Sequence, residues 1–434
     1  MDLKSIENIV SLCKRRGFIF QSSEIYGGLG STWDYGSYGV EMKQKIKNFW
    51  WHDVVTSREN VVGMDAAILM HPKTWEASGH VSNFHDPLVD CKNCKARYRA
   101  DHVDLTKPCE RCGKKDWTEP RQFNLMFKTA IGPIEDSGEV TYLRPETAQG
   151  IFVNFMNVQG TSRQKLPFGI AQLGKAFRNE ITTGNFLFRT REFEQMELEF
   201  FIHPGENEKW LDYWCEERLI WFNKLGINPK KLRLRPHDED ELAHYSSACY
   251  DVEYEFPFGW SELEGIADRG SFDLDQHNEF SEKKQQYFNQ QTNERVIPHV
   301  VESSAGVDRT FLTCLVDAYN EEEVRGEKRI VLKLDPKIAP ITCAVLPLVK
   351  KDGLPEIAQK IVEDIRTKYS AFFDQGGSIG RRYRRQDEAG TPYGVTVDHQ
   401  TTEDGTVTLR DRDTMDQVRI STDNILSELQ SRIQ

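Results

Sequence analysis

The 434-residue sequence predicts an α+β protein: a half-polar sheet as its body, a small metal-stapled insertion, and a separate C-terminal α/β unit. Three observations carry this. Residues 192–200, Glu192-Phe193-Glu194-Gln195-Met196-Glu197-Leu198-Glu199-Phe200, alternate with period two, as a strand does. Two Cys-x-x-Cys pairs, Cys91/Cys94 and Cys109/Cys112, are separated by 14 residues in a Lys- and Arg-rich stretch with few aliphatics. After Ile338, short apolar runs alternate with helical patterns to the C-terminus, as in an α/β unit.

Along the chain, Val40 to Trp51 reads as a helix, and His71-Pro72 breaks the regular structure. Residues 86–120 cannot build a core alone and form the insertion. On the 192–200 strand, Phe193, Gln195, Glu197 and Glu199 share one face; Glu192, Glu194, Met196, Leu198 and Phe200 share the other. Residues 205–226 read as a helix ending near Gly226, and 250–274 alternate again. Glu321-Glu322-Glu323 with Gly326 is a polar break. Ile341 to Leu346 reads as a buried strand, and Pro355 opens a helix with Ile357, Ile361, Ile365 and Tyr369 four apart. Short strands at 394–397 and 406–409 and a last helix follow. The expected division is 1–337 and 338–434, with insertions at about 86–120 and 203–250.

Apolar types make up 38% and charged types 29%, an ordinary globular balance, and 24 Phe, 14 Tyr and 9 Trp argue against disorder. The longest apolar run, from Ile338 to Val349, is short and holds two prolines, so no membrane-spanning helix is expected. Met1-Asp2-Leu3-Lys4-Ser5-Ile6-Glu7 lacks the pattern of a signal peptide, which points to the cytoplasm. The formal charge of −12 excludes a protein that coats nucleic acid by bulk charge and leaves room for a local basic patch. The five cysteines outside the pairs, Cys13, Cys215, Cys249, Cys314 and Cys343, are scattered. One metal site plus reduced thiols fits this usage better than a disulfide frame. Four thiolates complete a tetrahedral shell, so the site is a structural zinc with no open position for water.

No Gly-Lys-Ser/Thr phosphate loop and no Gly-x-Gly-x-x-Gly occurs. Nucleotide chemistry would then need another architecture, such as an antiparallel sheet whose arginines and carboxylates hold phosphates. Four segments offer those groups: Arg144-Pro145-Glu146-Thr147-Ala148-Gln149-Gly150, Phe177-Arg178-Asn179-Glu180, Phe188 to Glu197, and Glu302-Ser303-Ser304-Ala305-Gly306-Val307-Asp308-Arg309. Arginine, then glutamate, a loop, and Arg-Glu-Phe resembles motif 2 of the class II aminoacyl-tRNA synthetases. Gly-Val-Asp-Arg before an apolar helix resembles their motif 3, and Tyr38 to Pro72 their motif 1, the dimer element. Gly27-Gly28-Leu29, Trp33-Asp34-Tyr35-Gly36 and Trp75-Glu76-Ala77-Ser78-Gly79-His80 narrow the match: from about Ile9 to Val418 the chain resembles the dimeric type of glycyl-tRNA synthetases. Ser303 departs from the family's usual proline, a change expected to alter loop stiffness.

The resemblance implies a class II antiparallel-sheet catalytic domain and a C-terminal domain that binds the anticodon. It implies ATP, Mg²⁺ and glycine as small partners, tRNA as the large one, and a homodimer. Its chemistry joins two anions, so positioning and charge stabilisation dominate. Arg178, Glu180 and Arg309 are the expected catalytic residues: a planar guanidinium bonds oxygens in pairs, and a helix N-terminus assists Arg309. Arg178, Asn179, Glu180, Phe188, Arg189, Arg191, Phe193, Glu262, Leu263, Gly306 and Arg309 are the expected ATP contacts. Phe193 is placed under the adenine, and Glu180 and Glu262 at the nucleotide or its Mg²⁺. Glu146, Glu197, Glu302, Ser304 and Arg99 are the expected glycine contacts. Carboxylates hold the ammonium, larger side chains clash, and no editing domain is expected.

Residues 376–385, Gly376-Gly377-Ser378-Ile379-Gly380-Arg381-Arg382-Tyr383-Arg384-Arg385, concentrate arginine around a tyrosine, which suits unpaired bases. Arg381, Arg382, Arg384 and Arg385 are therefore expected at the anticodon. His244, within the family-like segment 237–245, is expected in a structural hydrogen bond. Two rival readings exist: a non-catalytic nucleic-acid-binding protein that retains the synthetase fold, and a zinc-ribbon module on an unrelated core. The first predicts loss of Arg178, Glu180, Glu197 or Arg309, all present here; the second leaves the four acid–arginine segments unexplained.

Overall fold

The computed structural model describes residues 4–433 apart from 102, 133–138, 182, 183, 244, 291 and 325; His244 therefore lies outside the described residues. The chain begins with helices α1 (Lys4–Arg16) and α2 (Ser37–Trp51) and strand β1 (Val61–Gly63). β2 (His85–Asp90), β3 (Arg97–Arg99) and β4 (Arg121–Asn124) form a small separate antiparallel sheet. The body continues with β5 (Phe168–Phe177), β6 (Glu192–Ile202), α3 (Asn207–Lys224), β7 (Leu232–Pro236), β8 (Ala248–Phe256) and β9 (Gly259–Gly270). It closes with α4 (Phe272–Ser281), β10 (His299–Gly306) and α5 (Val307–Ala318).

The central sheet runs β7-β8-β9-β10-β6-β5-β1, antiparallel except for the β5–β1 pair. Period-two alternation decides which face of β6 packs into the apolar core. Met196, Leu198, Phe200 and Ile202 join Trp50, Trp214, Trp221 and Phe311 there. The Phe200 ring lies 4.8 Å from Trp210 and 5.2 Å from Trp214. Full burial of each such side chain contributes roughly 1.5–3 kcal/mol. An ion pair lies within that core: buried Arg218 on α3 donates to Glu264 on β9 at 2.8 Å, and Ser303 on β10 donates to the same carboxylate. Ser303 thus lies in a strand with its hydroxyl engaged; the expectation that it tunes a loop does not hold. Residues 203–250, expected as an insertion, supply α3 and the edge strand β7 of the body.

The C-terminal unit contains β11 (Cys343–Pro347), α6 (Leu354–Arg366), β12 (Ala371–Phe373), α7 (Ile379–Ala389), β13 (Tyr393–Val397), β14 (Thr406–Asp411), β15 (Gln417–Ser421) and α8 (Ile425–Ile433). Its sheet runs β12-β11-β13-β14-β15, parallel through the first three strands. Val345, Ile361, Ile365, Val395 and Leu409 belong to its own core, whereas Ile338 and Ala339 pack in the first. Helix α7 joins the two units. Asp387 accepts Arg329 Nε at 2.9 Å and Arg410 at 2.9 Å, and Glu388 accepts Arg16 at 2.7 Å. No helix among the described residues is long and apolar enough to cross a membrane.

Candidate active site

The polar face of β6 leads into a buried carboxylate pocket. Glu197 stands opposite Ser304 of β10 in the ladder, and Glu199 opposite Glu302. The carboxylate oxygens of Glu197, Glu199 and Glu302 lie within 4.8 Å of one another. Thr147 binds Glu197 twice, through its backbone N–H at 3.1 Å and through its hydroxyl. Glu146 approaches from the same segment. It lies 3.2 Å from His80 Nε2 and accepts Gln149 Nε2 at 3.2 Å. His80 is in turn held by Ser78, 2.8 Å from its Nδ1. Arg269 of β9 anchors the far wall, donating to Asp273 at 2.7 and 3.0 Å and to Glu302.

Burying charge costs several kcal/mol per ion unless partners repay it, so five acids around one arginine point to a function. Burial, then the Glu302 and Glu146 charges, push the Glu197 carboxyl up to about 8. Burial and the Glu302 charge hold Glu199 far above the carboxylate range. Burial alone would raise Glu146, but the charge and hydrogen bond of His80, with Arg269 and Arg178, pull it below its ordinary value. Chemically, the pocket is small, acidic and suited to a compact cation.

Beside it opens a cleft of about 780 Å³. It is lined by Arg178, Glu180, Phe188, Arg189, Phe193, Gln195, Glu262, Ser304, Gly306 and Arg309, among others. The Arg178 guanidinium sits 5.3 Å from the Phe84 ring and 5.4 Å from Phe193, and its Nε donates to Pro145 O at 3.0 Å. Arg309, in the first turn of α5, stacks 4.4 Å from the Phe188 ring and donates to Glu262 O at 3.0 Å. Its charge draws the Glu262 carboxyl below the usual range, while burial raises Glu180 against Arg178 and Arg189. Two fixed guanidinium groups and two aromatic rings line one cleft, an arrangement able to bind a polyphosphate with a planar base.

Comparison with known proteins is consistent with this geometry. The family model described as the tRNA synthetase class II core domain (G, H, P, S and T) matches residues 127–319, and an anticodon binding domain model matches 342–432. A glycine–tRNA ligase of Treponema denticola is 55% identical over 99% of this chain and 97% of its own length. That of Borreliella burgdorferi is also 55% identical with the same coverage; that of Geobacillus thermodenitrificans is 53% identical over 99% and 98%. The chain belongs to the glycine–tRNA ligase family.

Within this ligase fold, the structure does not give every expected residue the same availability. Leu263 is fully buried, and its side chain belongs to the apolar core. Arg191 is a strut: it donates to Gly30 O at 2.7 Å and Glu180 O at 3.2 Å. Asn179 is held by its backbone N–H on Leu125 O at 2.7 Å, which ties the Arg178–Glu180 loop to the chain just after β4. Arg99, on β3, is engaged by Asp86 at 2.8 Å and Asp101 at 2.7 Å and reaches the site only as a charge near Glu180. Arg144 is also structural, donating to Lys175 O at 2.6 Å and Ala66 O at 2.8 Å. A Cβ on Gly174 would collide with its guanidinium.

At the cysteine cluster, Cys91 Sγ lies 3.6 Å from Cys112 Sγ and Cys94 Sγ 3.8 Å from Cys109 Sγ. Zn–S bonds of about 2.3 Å in a tetrahedron put sulfurs about 3.8 Å apart, so the set fits zinc. Backbone N–H groups of Ala96, Arg111, Cys112 and Lys114 are directed at the sulfurs, as an anionic cluster needs.

The basic run at 381–385 lies on α7, where the expectation of four anticodon arginines fails for Arg382. It is 2% exposed and donates to Pro347 O at 2.6 Å, Asp374 O at 3.0 Å and Leu348 O at 3.3 Å. Burial with three carbonyl acceptors keeps its guanidinium from RNA. Arg385 is bound to Asp374 and Gly376 O at 2.5 Å, and Arg384 approaches Glu327 at 3.5 Å; Arg381 is exposed. Tyr383 is seated over Gly394 with its hydroxyl 2.5 Å from Thr396, so it is a packing residue.

Sequence reasoning missed Arg269, Asp273, His80, Gln149 and Glu199. Asp268-Arg269 repeats the acid–arginine pattern on an alternating strand, and Glu199 continues the polar face of β6 by period two. His80 ends the Trp75–His80 motif, whose chemical use only the fold reveals.

Proposed function

We propose that the chain activates glycine with ATP and transfers the glycyl group to the 3′ end of a glycine tRNA. The observation that supports this most is the polar face of strand β6: a two-arginine cleft at its Phe193–Gln195 end runs into a buried carboxylate pocket at its Glu197–Glu199 end. In the first step a glycine carboxylate oxygen bonds to the α-phosphorus, the bond to the β-phosphate oxygen breaks, and pyrophosphate leaves. Arg178 clamps the α-phosphate and the attacking carboxylate, which neutralises two anions as they meet. Arg309 holds the β/γ end, and Phe193 and Phe188 flank the base. Mg²⁺ would spread the pyrophosphate charge, with Glu180 and Glu262 as its nearest carboxylates.

In the amino-acid pocket, Glu146, Glu197 and Glu302 take the ammonium, with Ser304 beside Gln195 at 3.3 Å. Arg269 keeps Glu302 in place. A side chain beyond Cα would press on this hydrogen-bonded wall, and overpacking a rigid site costs roughly 1–3 kcal/mol. In the second step the terminal tRNA hydroxyl attacks the carbonyl carbon and AMP leaves. The C-terminal unit holds the anticodon, with Arg381 exposed on α7 and Arg384 half-buried on the same helix. The four-cysteine set holds a structural zinc that stiffens the insertion behind Arg178. A homodimer through the 38–72 segment completes the reading; a one-chain mass in light scattering would remove that element.

The test is ATP–pyrophosphate exchange with the purified chain. Labelled ATP is expected with glycine and not with alanine or serine, and Arg178→Ala abolishes exchange without lowering the melting temperature. No exchange with any amino acid would favour a binding protein that retains the fold. Near-normal exchange in Arg178→Ala would remove Arg178 from the activation step.

A further inference from the structure

Glu199 stands apart from the other acids of the pocket. It is fully buried, and neither carboxylate oxygen meets a hydrogen-bond donor among the described residues. Its neighbours are all accounted for: Glu197 by Thr147, Glu302 and Asp273 by Arg269, and Glu146 by His80 and Gln149. A carboxylate with no donor cannot remain charged at that depth. In the ladder Glu199 is directly opposite Glu302, and it lies two residues beyond Glu197 on the same face. Its oxygens lie within 4.8 Å of both partners' oxygens. Gln172, fully buried opposite Glu197, also has both amide atoms unpartnered, so the floor beneath the pocket has spare polar capacity.

We propose that Glu199 is a positioning residue of the amino-acid pocket: a carboxylic acid whose single O–H is given to Glu302 or Glu197 when these close on the substrate ammonium. This rests on the proposed glycine activation and deepens it. An acid in this place does two things an apolar residue would not. It supplies a donor from the Glu199 side of the carboxylates, where Glu199 itself meets none. It also adds no negative charge, so the wall does not repel itself as the two ionised groups approach the ammonium. The charged groups facing it are Glu197 on its own strand, Glu302 on β10, Arg269 on β9 and Asp273 on α4. Of these only Arg269 is positive, and its donors are taken by Asp273 and Glu302.

The experiment compares full-length wild type, Glu199→Gln and Glu199→Leu in exchange kinetics with glycine and ATP varied separately. Gln keeps a donor and stays neutral, so its kcat/KM for glycine is expected within about threefold of wild type. Leu removes the donor, and KM for glycine is expected to rise about tenfold or more while KM for ATP holds, the size expected for a lost hydrogen bond to a charged group. Glu199→Gln should also keep the wild-type pH profile of kcat/KM for glycine. The proposal is overturned if Gln is as impaired as Leu, which would mean that the charge is used. It is also overturned if Leu leaves KM for glycine unchanged, or raises both KM values together. Wild type without glycine-dependent exchange would remove the underlying reading instead.

Discussion

A cation entering the carboxylate pocket should expel a proton. Glu197 is pushed up to about 8 by burial, Glu302 and Glu146, so at pH 7 it is about nine-tenths protonated. The substrate brings a full positive charge against it. An opposite charge within a few ångström favours the ionised carboxylate by about 1–3 pKa units. That shifts Glu197 to between about 5 and about 7 in the complex, so about 0.4–0.9 proton per chain is released at pH 7. The cluster titrates as a unit, so the proton belongs to the group, with Glu197 the member nearest neutrality. Calorimetric titration with glycine in phosphate and in Tris, which differ in ionisation enthalpy, gives the number from the slope. The expected value is about 0.4–0.9 at pH 7, falling to about 0.1 at pH 9, where Glu197 has already ionised. A slope of zero at pH 7, or one that does not change with pH, would refute the reasoning. The same residue affects stability. Its folded value lies above the unfolded 4.5, so the folded state holds the extra proton, and stability falls as pH rises from about 4.5 to about 8. The ceiling on this loss is about 5 kcal/mol, and glycine should oppose it.

Arg218→Met leaves Glu264 charged and buried without its partner. Urea unfolding should show a loss of about 3–5 kcal/mol, of which Arg218→Met/Glu264→Gln recovers at least half; a loss under about 1 kcal/mol would show that the pair is not held as described. Purified protein should carry one zinc per chain by mass spectrometry of its metals. Stripping it should raise KM for ATP more than KM for glycine, because the chain on either side of the insertion contacts the Arg178–Glu180 loop through Phe84 and Leu125; a metal-free chain of full activity would rule out the zinc.

The elements most legible in the sequence were those with a clean period or a fixed spacing. The 192–200 alternation assigned both faces of β6 correctly, because two-fold geometry leaves no third option. The helix opened at Pro355 and the cysteine pairs were equally readable. What stayed hidden were properties of partners distant in sequence. Nothing local distinguishes Arg382 from Arg381, yet one fills the interior of the C-terminal unit and the other is exposed. Arg269 and His80 gain meaning only when β9 and the segment after Pro72 arrive beside Glu302 and Glu146. Leu263 is the converse case: a motif position whose side chain belongs to the core.

The Val307-Asp308-Arg309 triplet shows how such partners divide labour. Asp308 sits one residue from Arg309 and acts as a tie between elements. It accepts the Glu194 backbone N–H at 2.7 Å, Lys43 Nζ at 2.8 Å and the Tyr35 hydroxyl. Lys43 also binds Glu194 at 2.7 Å, and burial is outweighed by these two acids, which keep its charge. One carboxylate thus ties together α2, the short strand Trp33–Tyr35, β6 and α5. The first turn of α5 cannot rotate without breaking three largely buried hydrogen bonds, each costly to leave unmade. Arg309 is therefore aimed by its neighbour, and its angle depends on α2, the element that the family resemblance assigns to dimer contact. Any displacement of α2 would reach the two-arginine cleft through Lys43 and Asp308 before it reached the carboxylate pocket, whose own anchors, Thr147, Arg269 and His80, lie on other elements.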